Sequence, residues 1–119
     1  MDILKEARNG ILILHPIGTL DLYIRLEFLK AIQEARDEGF QRIIVDLGQV
    51  RYVDSIMLSA CTKSYRSLAT EKIQFGLANP QEFVREIFNL VHLDSLVPVF
   101  SSVDEAVASF LGWQSLYSP

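Results

Sequence analysis

The sequence predicts an α/β domain with a mixed β-sheet and elements in the order β-β-α-β-α-β-α-β-α. Three observations carry that prediction. The chain opens on a hairpin signal, strand-like apolar runs then alternate with helix-period segments, and helix start and stop residues punctuate the alternation. Strands that alternate with helices describe a sheet covered by helices. A length of 119 residues suits one domain.

Taken in order, Ile3 to Arg8 and Ile11 to Leu14 flank Asn9-Gly10, the preferred pair for a two-residue hairpin turn because both positions need positive φ. Gly18-Thr19-Leu20-Asp21 reads as a loop whose Asp21 caps a helix from about Leu22 to Glu38. Leu22, Leu26, Leu29 and Ile32 are expected on its buried face, and Gly39 stops it. The short apolar run Ile43-Ile44-Val45-Asp46-Leu47 suits a central strand covered on both faces. A second helix starts near Asp54-Ser55 and reaches about Leu68, and Ile73 to Ala78 is the next strand. Asn79-Pro80-Gln81-Glu82 signals a third helix, with Asn79 as cap, Pro80 as first residue and Glu82 at the third position. A strand at Val97 to Phe100 follows, and Ser102 with Glu105 forms a capping box for the last helix. The domain is expected over residues 1–111, with 112–119 as a C-terminal tail carrying Trp113 and Tyr117.

Composition narrows the function. Half of the residues are hydrophobic and the formal charge is −4, so a disordered chain is excluded. The longest apolar run, Ile11 to Leu14, is far short of the ~20 residues of a membrane-spanning helix. No basic segment followed by a long apolar stretch opens the sequence, so a secretory signal is not expected and the expected location is cytoplasmic. Cys61 is the only cysteine, which rules out an internal disulfide and leaves little room for a structural zinc site. The acidic balance argues against direct nucleic-acid binding, which needs a basic footprint. The six glycines are scattered, so neither a dinucleotide fingerprint nor a P-loop is present. His15 and His92 lie far apart and are expected to be structural, and Cys61 to be a small core residue. No catalytic constellation, metal site or cofactor site is expected, so the chain reads as a binding module rather than an enzyme.

The informative place is the junction Val53-Asp54-Ser55-Ile56-Met57-Leu58, because sites in α/β sheets gather at strand-to-helix junctions. On a helix from Ser55, the residues Ser59, Thr62 and Arg66 fall on the same outward stripe, with Lys63 beside it. Leu58, Cys61, Tyr65 and Leu68 fall on the core side. Ile56 stands at the border, where an exposed apolar side chain suits a partner contact. Asp54 and Ser55 compete for the cap position.

At these residues the chain resembles the STAS domains, and among them the anti-sigma factor antagonists. The resemblance rests on Gly18-Thr19-Leu20-Asp21, Ile44-Val45-Asp46-Leu47, Tyr52-Val53-Asp54-Ser55, Ala78-Asn79-Pro80 and the run from Leu93 to Phe100, in that order. It implies a STAS-like fold and a protein that captures an anti-sigma factor, itself a serine kinase that carries the ATP, and so frees a sigma factor for transcription. It further implies that the kinase phosphorylates the serine after the motif's Asp, here Ser55, and that a phosphatase reverses this. Asp54, and Asp21 on the neighbouring loop, would share the surface. The family pattern D-S-[ST]-G-[LI] is broken by Ile56 and Met57, and Met57 in place of glycine is expected to take up room for the partner. The phosphate is expected to find no counter-ion within the chain. The alternative is a STAS scaffold or accessory subunit of a sensory assembly or transporter that is never phosphorylated. A carrier of small apolar ligands around Phe88-Asn89-Leu90-Val91 is weighed against simple core packing, which the pattern favours.

Overall fold

The computed structural model describes the backbone of residues 3–117 and the side chains of residues 3–112. β1 (Ile3–Arg8) and β2 (Ile11–Pro16) form the expected hairpin, with Asn9 and Gly10 both at positive φ. β2 pairs in parallel with β4 (Arg42–Asp46), β4 with β6 (Gln74–Ala78), and β6 with β7 (Val99–Phe100). The sheet order is therefore β1-β2-β4-β6-β7, a mixed sheet with β1 as its antiparallel edge.

Ile43, Ile44 and Val45 of β4 are fully buried, as a central strand covered on both faces requires. Alternation sends Leu12, Leu14, Ile43, Val45, Phe75 and Leu77 into the larger core beneath the first three helices. Ile11, Ile13, Ile44 and Ala78 face the other way, onto α4 (Val103–Tyr117). Gly76 sits on that second face because a Cβ there would meet the rings of Phe100 and Phe110 at 3.1 Å.

Two strands escape the sequence reading. β3 (Gly18–Leu20) and β5 (Val50–Val53) pair in parallel and form a separate two-stranded sheet, with Leu20 opposite Val53. Gly18–Asp21 is therefore a strand ending in a cap rather than a loop. β5 buries Val50 and Val53 and exposes Arg51 and Tyr52, so it shows neither the alternation nor the continuous run that marks a strand.

The first helix is also rearranged. Asp21 does cap, accepting from the Tyr23 N–H at 3.0 Å, but the turn it caps is a 3-10 turn over Leu22–Ile24, and α1 proper is Arg25–Asp37. The buried stripe is Ile24, Phe28, Ala31, Ile32 and Ala35. The expected stripe is corrected accordingly: Leu22 and Leu26 are exposed and Leu29 is half-buried. One helix can bury one stripe, and Phe28 flanked by two alanines both fills more volume and admits closer approach than the leucines. Gly39 closes α1 at φ +90, with Phe40 N–H donating to Ala35 and Gly39 N–H to Arg36, the paired bonds of a Schellman stop.

α2 runs Ser55–Thr70. α3 is Glu82–Leu90, beginning after Gln81 rather than at Pro80. Asn79 does not cap it, because its backbone is left-handed and its amide donates to Asp46 Oδ1 at 3.2 Å. Ser102 accepts from the Glu105 N–H at 3.0 Å, the cap expected for α4. That helix continues past Gly112 to Tyr117, and the side chains of Trp113 and Tyr117 lie outside the described residues.

Candidate functional site at the start of the second helix

The junction is built around Asp54. Leu20 and Val53 end the paired strands β3 and β5, and the Asp54 N–H donates to the Leu20 carbonyl at 3.0 Å. Asp54 is the cap of α2, with Oδ1 accepting from Met57 N–H at 2.8 Å. Its other oxygen, Oδ2, accepts from Leu22 N–H at 3.2 Å. One carboxylate thus satisfies helix-start donors on two elements and holds the Leu22–Arg25 turn against the start of α2. The competition for the cap is settled: Asp54 takes it and Ser55 is the first helical residue. Ser55 is exposed, and its hydroxyl has no hydrogen-bond partner among the described residues.

Along α2, Met57, Ala60, Cys61, Ser64 and Leu68 are buried, while Leu58 and Tyr65 are half-buried against the core. Ser55, Ile56, Ser59, Lys63 and Arg66 are exposed. Thr62 is half-buried, and its hydroxyl donates to the Leu58 carbonyl at 3.0 Å, so it is occupied within its own helix. Met57 is fully buried. Its side chain fills the core and takes no room outside, contrary to the expectation drawn from the missing glycine. Burial also pushes the Cys61 thiol up to about 12, which leaves it an inert core residue.

Ser55, Ile56, Ser59, Ala60 and Lys63 line an open recess of about 300 Å³ together with Arg25 from the first turn of α1. Arg25 was not among the residues picked from sequence, and only the tertiary fold brings it there. Arg25, Lys63 and Arg66 have no ion-pair partner among the described residues. Two of them, Arg25 and Lys63, line the same recess as Ser55, cations that the expectation of no counter-ion within the chain did not include. Asp21, one residue before the Leu22 that Asp54 holds, lines a different recess with Ile17, Thr19, Tyr23, Ile24 and Glu27. The same neighbourhood carries apolar side chains that water would rather not meet: Tyr23 is 93% exposed, Leu26 75%, and Leu22 and Ile56 are exposed as well. Phase could have shown this, since Ile24, Phe28, Ile32 and Ala35 make the better core stripe.

The carboxyl ends of the main strands hold a different polar cluster. His15 Nδ1 lies 2.8 Å from Asp46 Oδ2 and Nε2 lies 2.8 Å from Glu6 Oε1. A neutral imidazole donates from only one nitrogen, so both contacts are hydrogen bonds when the ring is an imidazolium. Asp46 Oδ1 further accepts from Gly48 N–H and Asn79, and Arg8 bridges Glu6 and Asp104. The His15 bond, then Arg8, holds the Glu6 carboxyl below the usual carboxylate range. His15 is structural, as expected. His92 is exposed in a left-handed turn, and Phe88 packs into the core while Leu90 and Val91 lie outside. Among the described residues no group of three metal-ligating side chains occurs and no helix is long and apolar enough to cross a membrane.

The STAS domain family profile matches residues 2–106. The chain belongs to the STAS domain family. A Thermotoga maritima protein named "Putative anti-sigma factor antagonist" is 26% identical over 100 residues, covering 83% of this chain and 88% of the relative. The Bacillus anti-sigma factor antagonist SpoIIAA in its unphosphorylated form superposes with a TM-score of 0.76 at 20% identity, covering 92% of this chain and 96% of that one. Its phosphorylated form gives 0.67 at 19% identity, covering 91% and 98%. A sulfate transporter family protein from Wolinella succinogenes gives 0.73 at 18% identity, covering 88% of each chain. These likenesses establish the STAS fold.

Proposed function

We propose that this chain is an anti-sigma factor antagonist. It captures an anti-sigma factor that is also a serine kinase, and phosphorylation of Ser55 releases it. Residues 1–111 would form the STAS unit, with 112–119 appended. The observation that carries the reading is the Ser55 hydroxyl, exposed at the first position of α2 and without a hydrogen-bond partner among the described residues, within a surface of exposed apolar groups and of cations that have no ion-pair partner among those residues. The contact surface comprises Asp21, Asp54, Ser55, Ile56, Ser59, Thr62, Lys63 and Arg66. Thr62 contributes from its half-buried edge, and Asp54 chiefly by holding the two helix starts together.

In the transfer step, the bond from Ser55 Oγ to the γ-phosphorus of ATP on the partner forms as the bond from that phosphorus to the β,γ-bridging oxygen breaks. ADP leaves with the electron pair, and the hydroxyl proton passes to a base on the partner. The product carries about −1.5 to −2 charge. The start of a helix tolerates that charge, because the dipole there is favourable, so the domain need not unfold. A docked partner does not tolerate it. Burying the dianion in an interface formed for a neutral hydroxyl carries a desolvation cost on the order of 3–5 kcal/mol. A phosphatase would restore the binding form. The test is intact mass spectrometry of wild type and Ser55→Ala with the candidate kinase and ATP. A single added phosphate on wild type alone supports the reading, and addition to both proteins or neither sinks it.

A second reading is favoured by the likeness to the transporter-family protein and by Ile56-Met57 at the motif: an unphosphorylated STAS accessory subunit. Co-purification separates the two, since a sigma-pathway kinase supports the first and a transporter or sensory oligomer the second.

A further inference from the structure

The recess beside Ser55 has a composition that the motif does not require. Its two long side chains, Arg25 and Lys63, are both cationic and come from different helices, and neither has a carboxylate partner among the described residues. Ser59 and Ala60 line it as well, and their short side chains leave about 300 Å³ open. Arg25 is held there by the fold, because Asp54 Oδ2 anchors Leu22 at the start of the turn that Arg25 ends. Of the carboxylates in the region, Asp54 is committed to Met57 and Leu22 and Asp21 to Tyr23, while Glu27 in the first turn of α1 lines the other recess, with Asp21. The recess thus holds two cations, an open volume and, at its rim, one serine hydroxyl.

We propose that Arg25 and Lys63 form a receptor in cis for the phosphate carried by Ser55. This rests on the reading of Ser55 as the acceptor. A phosphate on Ser55 Oγ turns into the recess and takes charge-assisted hydrogen bonds from the planar guanidinium of Arg25 and the ammonium of Lys63. Before phosphorylation both cations are free to meet acidic groups on a partner. Afterwards they are engaged within the chain. The modification therefore withdraws two of the docking surface's own cations as well as adding charge, and the phosphorylated state is held by contacts that this chain supplies.

The experiment uses the full chain with phosphoserine inserted at position 55 during translation, so that no kinase is needed. Phosphorus NMR then follows the second ionisation of the phosphate, which for a free phosphoserine lies near ~6. Two adjacent cations favour the dianion, so the midpoint should lie roughly 1 unit lower in the otherwise wild-type protein. It should return upward in Arg25→Gln/Lys63→Gln. Asp54 opposes the shift in both proteins, and the comparison removes its contribution. Equal midpoints in the two proteins overturn the receptor. Both substitutions are at exposed positions, and matched melting temperatures check that the fold is intact. The kinase assay stands apart: no phosphate added by the partner, with a lowered midpoint, sinks the acceptor reading and leaves the receptor chemistry standing. Phosphate added by the partner, with equal midpoints, sinks only the receptor.

Discussion

Two regions of this domain treat polar groups in opposite ways. Around His15 and Asp46 the charged groups answer one another within the chain. Arg8 answers Glu6 and Asp104, His15 answers Glu6 and Asp46, and Asp46 also takes Gly48 and Asn79. Along the outer face of α2 and the first turn of α1, Arg25, Lys63 and Arg66 answer nothing among the described residues, and Tyr23, Leu26 and Ile56 stand in water. The first arrangement holds a fold together. The second leaves interaction free energy unspent until another group arrives. Asp54 is the one residue that belongs to both kinds, since it ties backbone on two helical segments and sits beside Ser55.

The contrast predicts that charge at Ser55 changes association, whereas changes around Asp46 alter folding. The largest effect should come from Ser55 itself. Phosphorylation should weaken capture of the anti-sigma partner by roughly a hundred- to several-thousand-fold, the equivalent of about 3–5 kcal/mol, with Ser55→Asp following in the same direction and Ser55→Ala remaining a binder. Calorimetric titration checks this, and equal affinities for all three would break the comparison outright. Asp46→Ala should destabilise the fold by about 2–3 kcal/mol, because a half-buried carboxylate leaves Gly48, Asn79 and His15 without their acceptor. Denaturant unfolding measures it, and partner affinity should stay unchanged.

Asp54→Ala should do both things. Loss of the cap costs about 1–2 kcal/mol of stability, and release of the Leu22–Arg25 turn should also weaken the partner complex. Asp54→Asn keeps one acceptor oxygen and should fall between. Arg66→Glu should shift affinity by roughly fivefold and leave the melting temperature alone, as an exposed rim charge does. A lowered melting temperature with unchanged affinity would move Arg66 to the structural side.

The smallest effect concerns Glu6. Its carboxyl titrates lower in the folded chain than the ordinary value of 4.5, through its hydrogen bonds to His15 first and Arg8 second. The folded state therefore gains from the ionised form at pH above about 4.5, and that gain is lost as pH falls through the lower folded value. Glu6→Gln should flatten the acid limb of a stability–pH curve below pH 5, while binding at neutral pH is unaltered.

Much of this was legible in the residues, and the gaps have physical causes. Asn9-Gly10, Gly39 and Ser102 announced their turn, stop and cap because each acts through bonds to backbone a few positions away. The pair β3 and β5 stayed hidden because each strand is too short to carry a period. Asn79 misled because its side chain serves Asp46 across the sheet rather than the helix beside it. Leu22 and Leu26 misled because α1 carries two apolar stripes, and the one through Ile24, Phe28, Ile32 and Ala35 is the one that packs.

The sequence by itself determined the α/β alternation, the family resemblance and the serine at the helix start, all of which depend on local bonding and period. The tertiary structure alone decided that Asp54, not Ser55, is the cap, that Met57 points inward, and that Arg25 from another helix faces Ser55 across one recess. Those outcomes depend on which distant groups the packed sheet and helices bring within a few ångströms, and spacing along a chain does not encode such distances.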